Sequence, residues 1–280
     1  MPDAAAKEME LERALAALPA VLVAYSGGVD STYLLAVAQR ALGARVRAVI
    51  ADSPSLPRAT LAAARAFCAG RGIDLAVVAT AELDDPAYAA NDGERCWHCK
   101  SHLMEALHAL AAAAAPGTVA LLGAIADDLG DHRPGMRAAR EHGARFPLAE
   151  LGFAKAEVRE RSRALGLPTA DQPAQPCLSS RVPYGEPVTA EGLAMVEQAE
   201  AALRHLGFAA CRARHHQVGG GRGWLCRVEV PDSELPRLVE LRRTVVPALE
   251  RLGYLFVAVD LAGFASGGFN RLLSAEERNR

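Results

Sequence analysis

The chain has 280 residues, a formal net charge of −2 from 31 basic and 33 acidic side chains, and an apolar share of 51%. Such a chain sustains a buried core in one large or two moderate domains, and its near-neutral balance gives no electrostatic footprint for nucleic acid or an anionic membrane. The N-terminus carries Asp3, Glu8, Glu10 and Glu12 where a signal peptide is basic, and charge interrupts the alanine-rich stretches short of a membrane span; the expected location is the cytoplasm.

Residues 3–18 read as an amphipathic helix with Met9, Leu11, Leu15 and Leu18 apolar. The apolar run 20–24 is a strand, and Tyr25-Ser26-Gly27-Gly28-Val29-Asp30-Ser31 follows it as a tight loop opening a helix over 32–42. Two glycines let the backbone approach a ligand, Ser26 and Ser31 offer hydroxyls, and the helix N-terminus aims N–H groups at the same place, so an anion belongs there. No Gly-Lys-Ser/Thr follows, which excludes the Walker loop. Residues 45–51, 74–80 and 118–123 supply three more strands with helical segments between them, one of them started by Pro57. This alternation predicts an α/β fold with a doubly wound parallel sheet, whose ligands collect at the strands' carboxyl ends. Ser26, Asp52, Ser53, Ser55, Asp127 and Asp128 all fall on that rim; the two aspartates also suit plain helix-start acids.

A proline-rich, polar stretch over 168–187 holds Cys177-Leu178-Ser179-Ser180-Arg181, and the expected domains are 1–186 and 187–280. In the second, Thr189 caps a helix, strands run near 210–218, 224–230 and 254–261, and helical patterns fill 233–252, giving a smaller α+β domain. Residues two apart on a strand share a face. Arg212 and Arg214 therefore lie on one face, and Arg227 with Glu229 on one face of the next strand. If the strands pair, the four make a polar patch suited to phosphate or carboxylate, the plain alternative being a solvated face laced with salt bridges.

Six cysteines are too few for a disulfide scaffold of this length. Cys96-Trp97-His98-Cys99, placed just before a helix, has a spacing that zinc ribbons, redox pairs and iron–sulfur sites share. Cys177 is the available third thiol. Three thiols with one open position suit an iron–sulfur cluster, and zinc with His98 is the alternative. Cys68 sits in an apolar helix pattern, and Cys211 and Cys226 alternate with charged residues along strands, so all three read as core fillers.

The loop at 26–31 resembles the pyrophosphate loop of N-type ATP pyrophosphatases, which cleave ATP between its α- and β-phosphates. With Ala51-Asp52-Ser53-Pro54-Ser55-Leu56-Pro57, the run 126–135, Cys177 to Arg181 with Pro183-Tyr184-Gly185, Arg212-Ala213-Arg214-His215, and Ser266-Gly267 with Asn270, nearly the whole chain resembles the LarE family. These are ATP-dependent sulfur transferases of nickel-pincer cofactor synthesis. The resemblance implies ATP and magnesium at Ser26, Gly27, Gly28, Asp30, Ser31, Asp52, Ser53, Asp127 and Asp128. It implies a mononucleotide substrate, pyridinium-3,5-biscarboxylic acid mononucleotide, at Arg212, Arg214 and Glu229. Sulfur transfer then falls to Cys177 with Ser180 and Arg181, sulfide or another donor supplies the sulfur, and the chain is a homo-oligomer. Some members consume the cysteine, leaving dehydroalanine; others hold a four-iron, four-sulfur cluster on three cysteines, and Cys96, Cys99 and Cys177 match the second kind. A tRNA thiolase of the same superfamily is the nearest rival, which the charge balance and the lack of an added RNA-binding module disfavour. The segment Gly123-Ala124-Ile125-Ala126 departs from the family's Gly-Thr-Asn-Ala, removing two polar side chains.

Overall fold

A computed structural model describes residues 3–130, 133–264 and 268–273. In chain order it has α1 (Ala4–Ala16), β1 (Val21–Ala24), α2 (Val29–Leu42), β2 (Val46–Asp52), α3 (Arg58–Arg71), β3 (Asp74–Ala79), α4 (Pro86–Ala89), α5 (Arg95–Ala112) and β4 (Val119–Leu122). There follow α6 (Pro134–Glu141), α7 (Pro147–Glu150), α8 (Lys155–Ala164), α9 (Ala190–His205), β5 (Arg212–Val218), β6 (Gly223–Glu229), α10 (Leu235–Glu240), α11 (Arg242–Glu250) and β7 (Tyr254–Val259). Among the described residues no helix is long and apolar enough to cross a membrane.

The chain forms two compact units, one of Met1–Glu82 with Cys96–Gln175, the other of Leu83–Arg95 with Pro176–Arg280. The first is the expected doubly wound sheet, four parallel strands in the order β3-β2-β1-β4. Alternation along the strands builds its two layers. Val21, Val23, Ala48, Ile50 and Leu121 pack on one side with α1, α2, α3 and α8 through Leu11, Leu34, Leu61 and Val158. Leu22, Ala24, Val49 and Leu122 pack on the other with Leu103, Met104 and Leu107 of α5. The chain runs outward from β1 through β2 to β3 and then returns to β4 beside β1. That reversal puts the topological switch point at the carboxyl end of β1, where open parallel sheets bind ligands.

The second unit has a mixed sheet, β5-β6-β7, with β5 antiparallel and β7 parallel to β6. Thr189 caps α9 as expected, its hydroxyl accepting from Gly192 N at 3.0 Å. Met195, Ala199 and Leu203 of α9 meet Ala213, Cys226, Val228 and Leu249 in its core. Cys211 and Cys226 are buried there and Cys68 in the first unit's core, as apolar fillers.

Candidate functional site

Gly27, at φ 74°, turns the chain after β1, and Gly28 caps α2 without a side-chain bond, so the helix's first N–H groups have no side-chain acceptor there. The two serine hydroxyls lie 2.9 Å apart, and Ser31 Oγ is within hydrogen-bonding reach of Ser26 N and Gly28 O. The loop is thus internally braced while Ser26 itself is exposed. Lys155, opening α8, donates from Nζ to Asp30 Oδ2 at 2.6 Å. Asp30 Oδ1 is buried with no hydrogen-bond partner, an acceptor left over for a cation or a ligand proton. Burial pushes the Asp30 carboxyl above its ordinary range, Lys155 opposes that, and Asp128 adds to it.

The carboxyl end of β4 meets the same loop. A Cβ on Gly123 would stand 2.8 Å from Ser31 N and 2.9 Å from Ser31 Cα, so only glycine permits this approach. Beyond it, Asp128 Oδ2 accepts from Ile125 N at 3.0 Å and Asp127 Oδ2 from Lys155 N at 2.9 Å. Asp127 therefore serves the start of α8, and Asp128 pairs with Arg133 at 2.8 Å. Ile125, where the family pattern has a polar residue, is fully buried in the core. Along the rim, Asp52 accepts from Arg58, Ser53 and Ser55 share a hydroxyl contact of 2.8 Å, and Ser55 donates to the buried Glu82.

Cys96 and Cys99 lie inside the first turns of α5, a correction to the expected position ahead of a helix. The turn begins at Asp92, whose side chain takes Glu94 N and whose carbonyl takes Arg95 N. Three positions apart on a helix, the two thiols share a face; Cys96 is exposed and Cys99 half-buried. Among the described residues, no three His, Cys, Asp or Glu side chains are gathered closely enough to hold a metal ion.

In the second unit, half-buried Cys177 precedes a short 3-10 turn, Leu178–Arg181. Its carbonyl accepts from Ser180 Oγ at 2.8 Å and Arg181 Nη1 at 3.0 Å, so both neighbours hold the turn that presents the thiol. Arg181 is buried and bidentate on Glu200 at 2.7 and 3.0 Å. Burial works against ionisation of Glu200, but Arg181, Arg212 and the Ala213 N–H together outweigh it and hold that carboxyl below its usual range. Glu200 carried no sequence signal, being an acid on the apolar face of α9.

The strand register pairs Arg212 with Glu229 and Arg214 with Arg227, which gathers the four charges on one face. The face is not a solvated one: Arg214 and Glu229 are 4% and 2% exposed and bidentate at 2.9 and 2.8 Å, with Arg227 on the same carboxylate. Arg214 also donates to Ser180 O at 2.9 Å. Arg212 stacks on Phe264, and burial, then the nearby Arg181, pushes its guanidinium down to about 10. Asp131 and His132, and Ser266 and Gly267, lie outside the described residues.

No family model matches the chain. It is 34% identical over 276 residues to pyridinium-3,5-bisthiocarboxylic acid mononucleotide synthase of Lactiplantibacillus plantarum, covering 98% of this chain and 97% of that one. The chain belongs to the LarE family. It is also 44% identical over 267 residues to the uncharacterized protein slr1717 of Synechocystis, covering 95% of this chain and 94% of the relative. At 24% identity over 249 residues, 88% of this chain aligns with 91% of the uncharacterized protein MJ0830 of Methanocaldococcus jannaschii. In this LarE-family chain, Lys155 is the partner of the loop's Asp30 that sequence reasoning missed in the first unit. Its signal was available only as a helix start, Ala154-Lys155-Ala156-Glu157, with nothing in the spacing to aim it at Asp30.

Proposed function

We propose that the chain is an AMP-forming, ATP-dependent sulfur transferase that adenylates a carboxylate of pyridinium-3,5-biscarboxylic acid mononucleotide and replaces the activated oxygen with sulfur. The observation that carries this reading is the glycine loop at the switch point, an anion cradle without a Walker lysine, in a chain homologous to the synthase over nearly its full length. A carboxylate oxygen is a poor leaving group. Attack of the carboxylate on the α-phosphorus expels pyrophosphate, and the mixed anhydride then lets AMP leave when sulfur attacks the acyl carbon.

Ser26, Gly27, Gly28 and Ser31 cradle the departing pyrophosphate, with Asp52 and Ser53 on the nucleotide side of the rim. The unpartnered Asp30 Oδ1 fits magnesium, with Asp127 and Asp128 nearby on the rim, and the ion would neutralise charge on the leaving group. Arg212 and Arg214 hold the substrate phosphate, Glu229 fixing the Arg214 fork. Cys177 stands at the sulfur-transfer step, Ser180 and Arg181 orienting it through its carbonyl.

Cys96, Cys99 and Cys177 form the donor set we assign to a four-iron, four-sulfur cluster. The set fits in its chemistry, since none of the three thiols is a core filler and two share one helical face. When bound, such a cluster supplies a soft sulfur carrier with one position open beyond three cysteines. Anaerobic reconstitution with iron and sulfide, followed by turnover and mass measurement of the polypeptide, tests the reading. We expect AMP, pyrophosphate and several sulfur atoms transferred per chain. ADP and phosphate as products would overturn the adenylation step. One sulfur per chain, with the Cys177 peptide lighter by hydrogen sulfide, would replace the cluster with a sacrificial cysteine, and zinc as the retained metal would make the site structural.

A further inference from the structure

Two serines past the end of β2 and one acid past the end of β3 form a buried polar chain on the rim of the first unit. Ser53, Ser55 and Glu82 are 6%, 5% and 1% exposed. Ser55 Oγ donates to Glu82 Oε1 at 3.2 Å, and Ser55 N donates to Ser53 Oγ at 3.3 Å. The two hydroxyls lie 2.8 Å apart. A serine hydroxyl has one proton to give. That of Ser55 goes to Glu82, so the bond between the hydroxyls runs from Ser53 to Ser55. Ser53 Oγ has then used its proton and accepted once, and a single lone pair remains. It can meet a ligand only as an acceptor.

Glu82 carries no sequence motif. Its Oε2 is buried with no hydrogen-bond partner, and among the described residues the bond from Ser55 is the one its carboxyl makes. A buried acid held by one hydroxyl costs stability, so what it contributes is direction. It draws the Ser55 proton, and in turn the Ser53 proton, away from the open side of Ser53.

Ala24, the last residue of β1, is level with Val49 of β2. Ser53 follows Val49 by four residues, about 13 Å at the usual strand rise. The glycine loop begins beside Ala24, so Ser53 stands well beyond it along the strand direction. A nucleotide whose phosphates lie in the loop carries its base there. Adenine presents a donor at its 6-amino group, where guanine presents a carbonyl oxygen.

We propose that Ser53 reads the 6-amino group of adenine and that Ser55 and Glu82 are positioning residues that keep its hydroxyl an acceptor. The proposal rests on the reading of this rim as the ATP site and adds to it the residues that choose the base.

Calorimetric titration of the full-length protein with magnesium, in the absence of the carboxylate substrate, tests this with ATP, purine riboside triphosphate, inosine triphosphate and 2′-deoxyATP. The readout is each affinity relative to that of ATP. Purine riboside triphosphate, which lacks only the amine, should bind about three- to ten-fold more weakly, the worth of one net hydrogen bond. Inosine triphosphate should bind more weakly again, since its carbonyl oxygen faces a lone pair, and 2′-deoxyATP should bind as ATP does. Ser53→Ala should bring the first three nucleotides within about two-fold of one another. Glu82→Gln can donate from its amide to Ser55, which turns the Ser55 proton to Ser53 and the Ser53 proton outward, so inosine triphosphate should gain on ATP. Ser55→Ala breaks the chain and should narrow the ratios, while Ser55→Thr keeps the hydroxyl and should keep them. Equal binding of ATP and purine riboside triphosphate by the parent, or ratios unchanged in Ser53→Ala, would overturn the base reading and leave ATP at the rim. A penalty that falls on 2′-deoxyATP instead would assign the lone pair to the ribose and overturn it as well. Ratios unchanged in both Glu82→Gln and Ser55→Ala would make those two residues merely structural. If circular dichroism shows Ser53→Ala unfolded, the ratios of the parent and of the Ser55 and Glu82 variants decide in its place. No ATP binding by the folded parent would remove the reading on which the proposal rests.

Discussion

Lys155 Nζ lies 2.6 Å from Asp30 Oδ2 and leaves Asp30 Oδ1 buried without a partner. One oxygen of the loop aspartate is thereby anchored by α8 and the other kept for the reaction. Replacing Lys155 by Met would leave a buried carboxylate without its counter-charge, and the acid form would gain. We expect pyrophosphate release to fall about 100-fold, in line with the loss of one positioned charge in a preorganised site. Asp30→Ala and Ser26→Ala should abolish release with an unchanged circular dichroism spectrum, since neither side chain belongs to the core. Pyrophosphate release at wild-type rate in Asp30→Ala would remove the loop from the mechanism.

Gly123→Ala should disable the same loop from the opposite direction. Its Cβ would meet backbone atoms of Ser31, which cannot rotate away, so a cost of roughly 1–3 kcal/mol is expected together with loss of pyrophosphate release. Gly70→Ala, in the last turn of α3 with open space around its Cβ, is the matched control. It should be neutral or stabilising by up to about 1 kcal/mol, read from urea midpoints.

The buried pair Arg181–Glu200 should reveal itself in acid. Glu200's folded pKa is depressed, so its contribution is present above the ordinary carboxylate range and is lost as pH falls through the lowered value. Glu200→Gln removes that dependence and, by stranding Arg181, should cost about 3–5 kcal/mol at neutral pH. Urea titrations of both proteins between neutral pH and pH 3 measure it; a Glu200→Gln protein as stable as the parent at pH 7 would contradict this.

His215 and His216 act in a higher window. Burial, the larger cause for each, lowers both to about 4 from an ordinary 6.5. Below pH 6.5 the unfolded chain takes up protons that the folded chain refuses until about pH 4, so stability falls across that interval as pH drops. His215 stacks on Trp224 at 4.1 Å and has Tyr254 Oη 3.1 Å from its Nδ1. His215→Gln should flatten part of the slope while costing about 1–2 kcal/mol at pH 7 from lost stacking. An unaltered slope in both His215→Gln and His216→Gln would show that other groups set it.

Periodicity made much of this legible. Strand alternation put Arg212 with Arg214 on one face and Arg227 with Glu229 on one face of the next strand, because a two-residue period fixes sidedness; that the four join follows from the pairing of β5 with β6. The rim of Ser26, Asp52 and Asp127 followed from strand-then-helix order alone. What alternation cannot give is which charge partners which: Arg214 with Glu229, and Lys155 with Asp30, 125 positions apart, are tertiary pairings. The Cys-x-x-Cys segment was misplaced by a turn because Asp92 starts the coil with its own carbonyl as well as its side chain, a signal that spacing of apolar residues does not carry.

The segment Leu83–Arg95 belongs to the second compact unit although chain of the first unit lies on both sides of it. Asn91 and Ala89 take Gly185 N and Val188 N on their carbonyls, and Tyr88 Oη lies 2.6 Å from Ser179 Oγ. The covalent thread therefore passes between the units three times. A protease that nicks the peptide after Gln175 would leave both pieces tethered through the earlier passages, so the nicked protein should co-elute as one species under native conditions. A fragment begun at Pro176 for expression would lack the stitches that hold its start as far as Val188, and supplying 83–95 as a separate peptide should be required to order them.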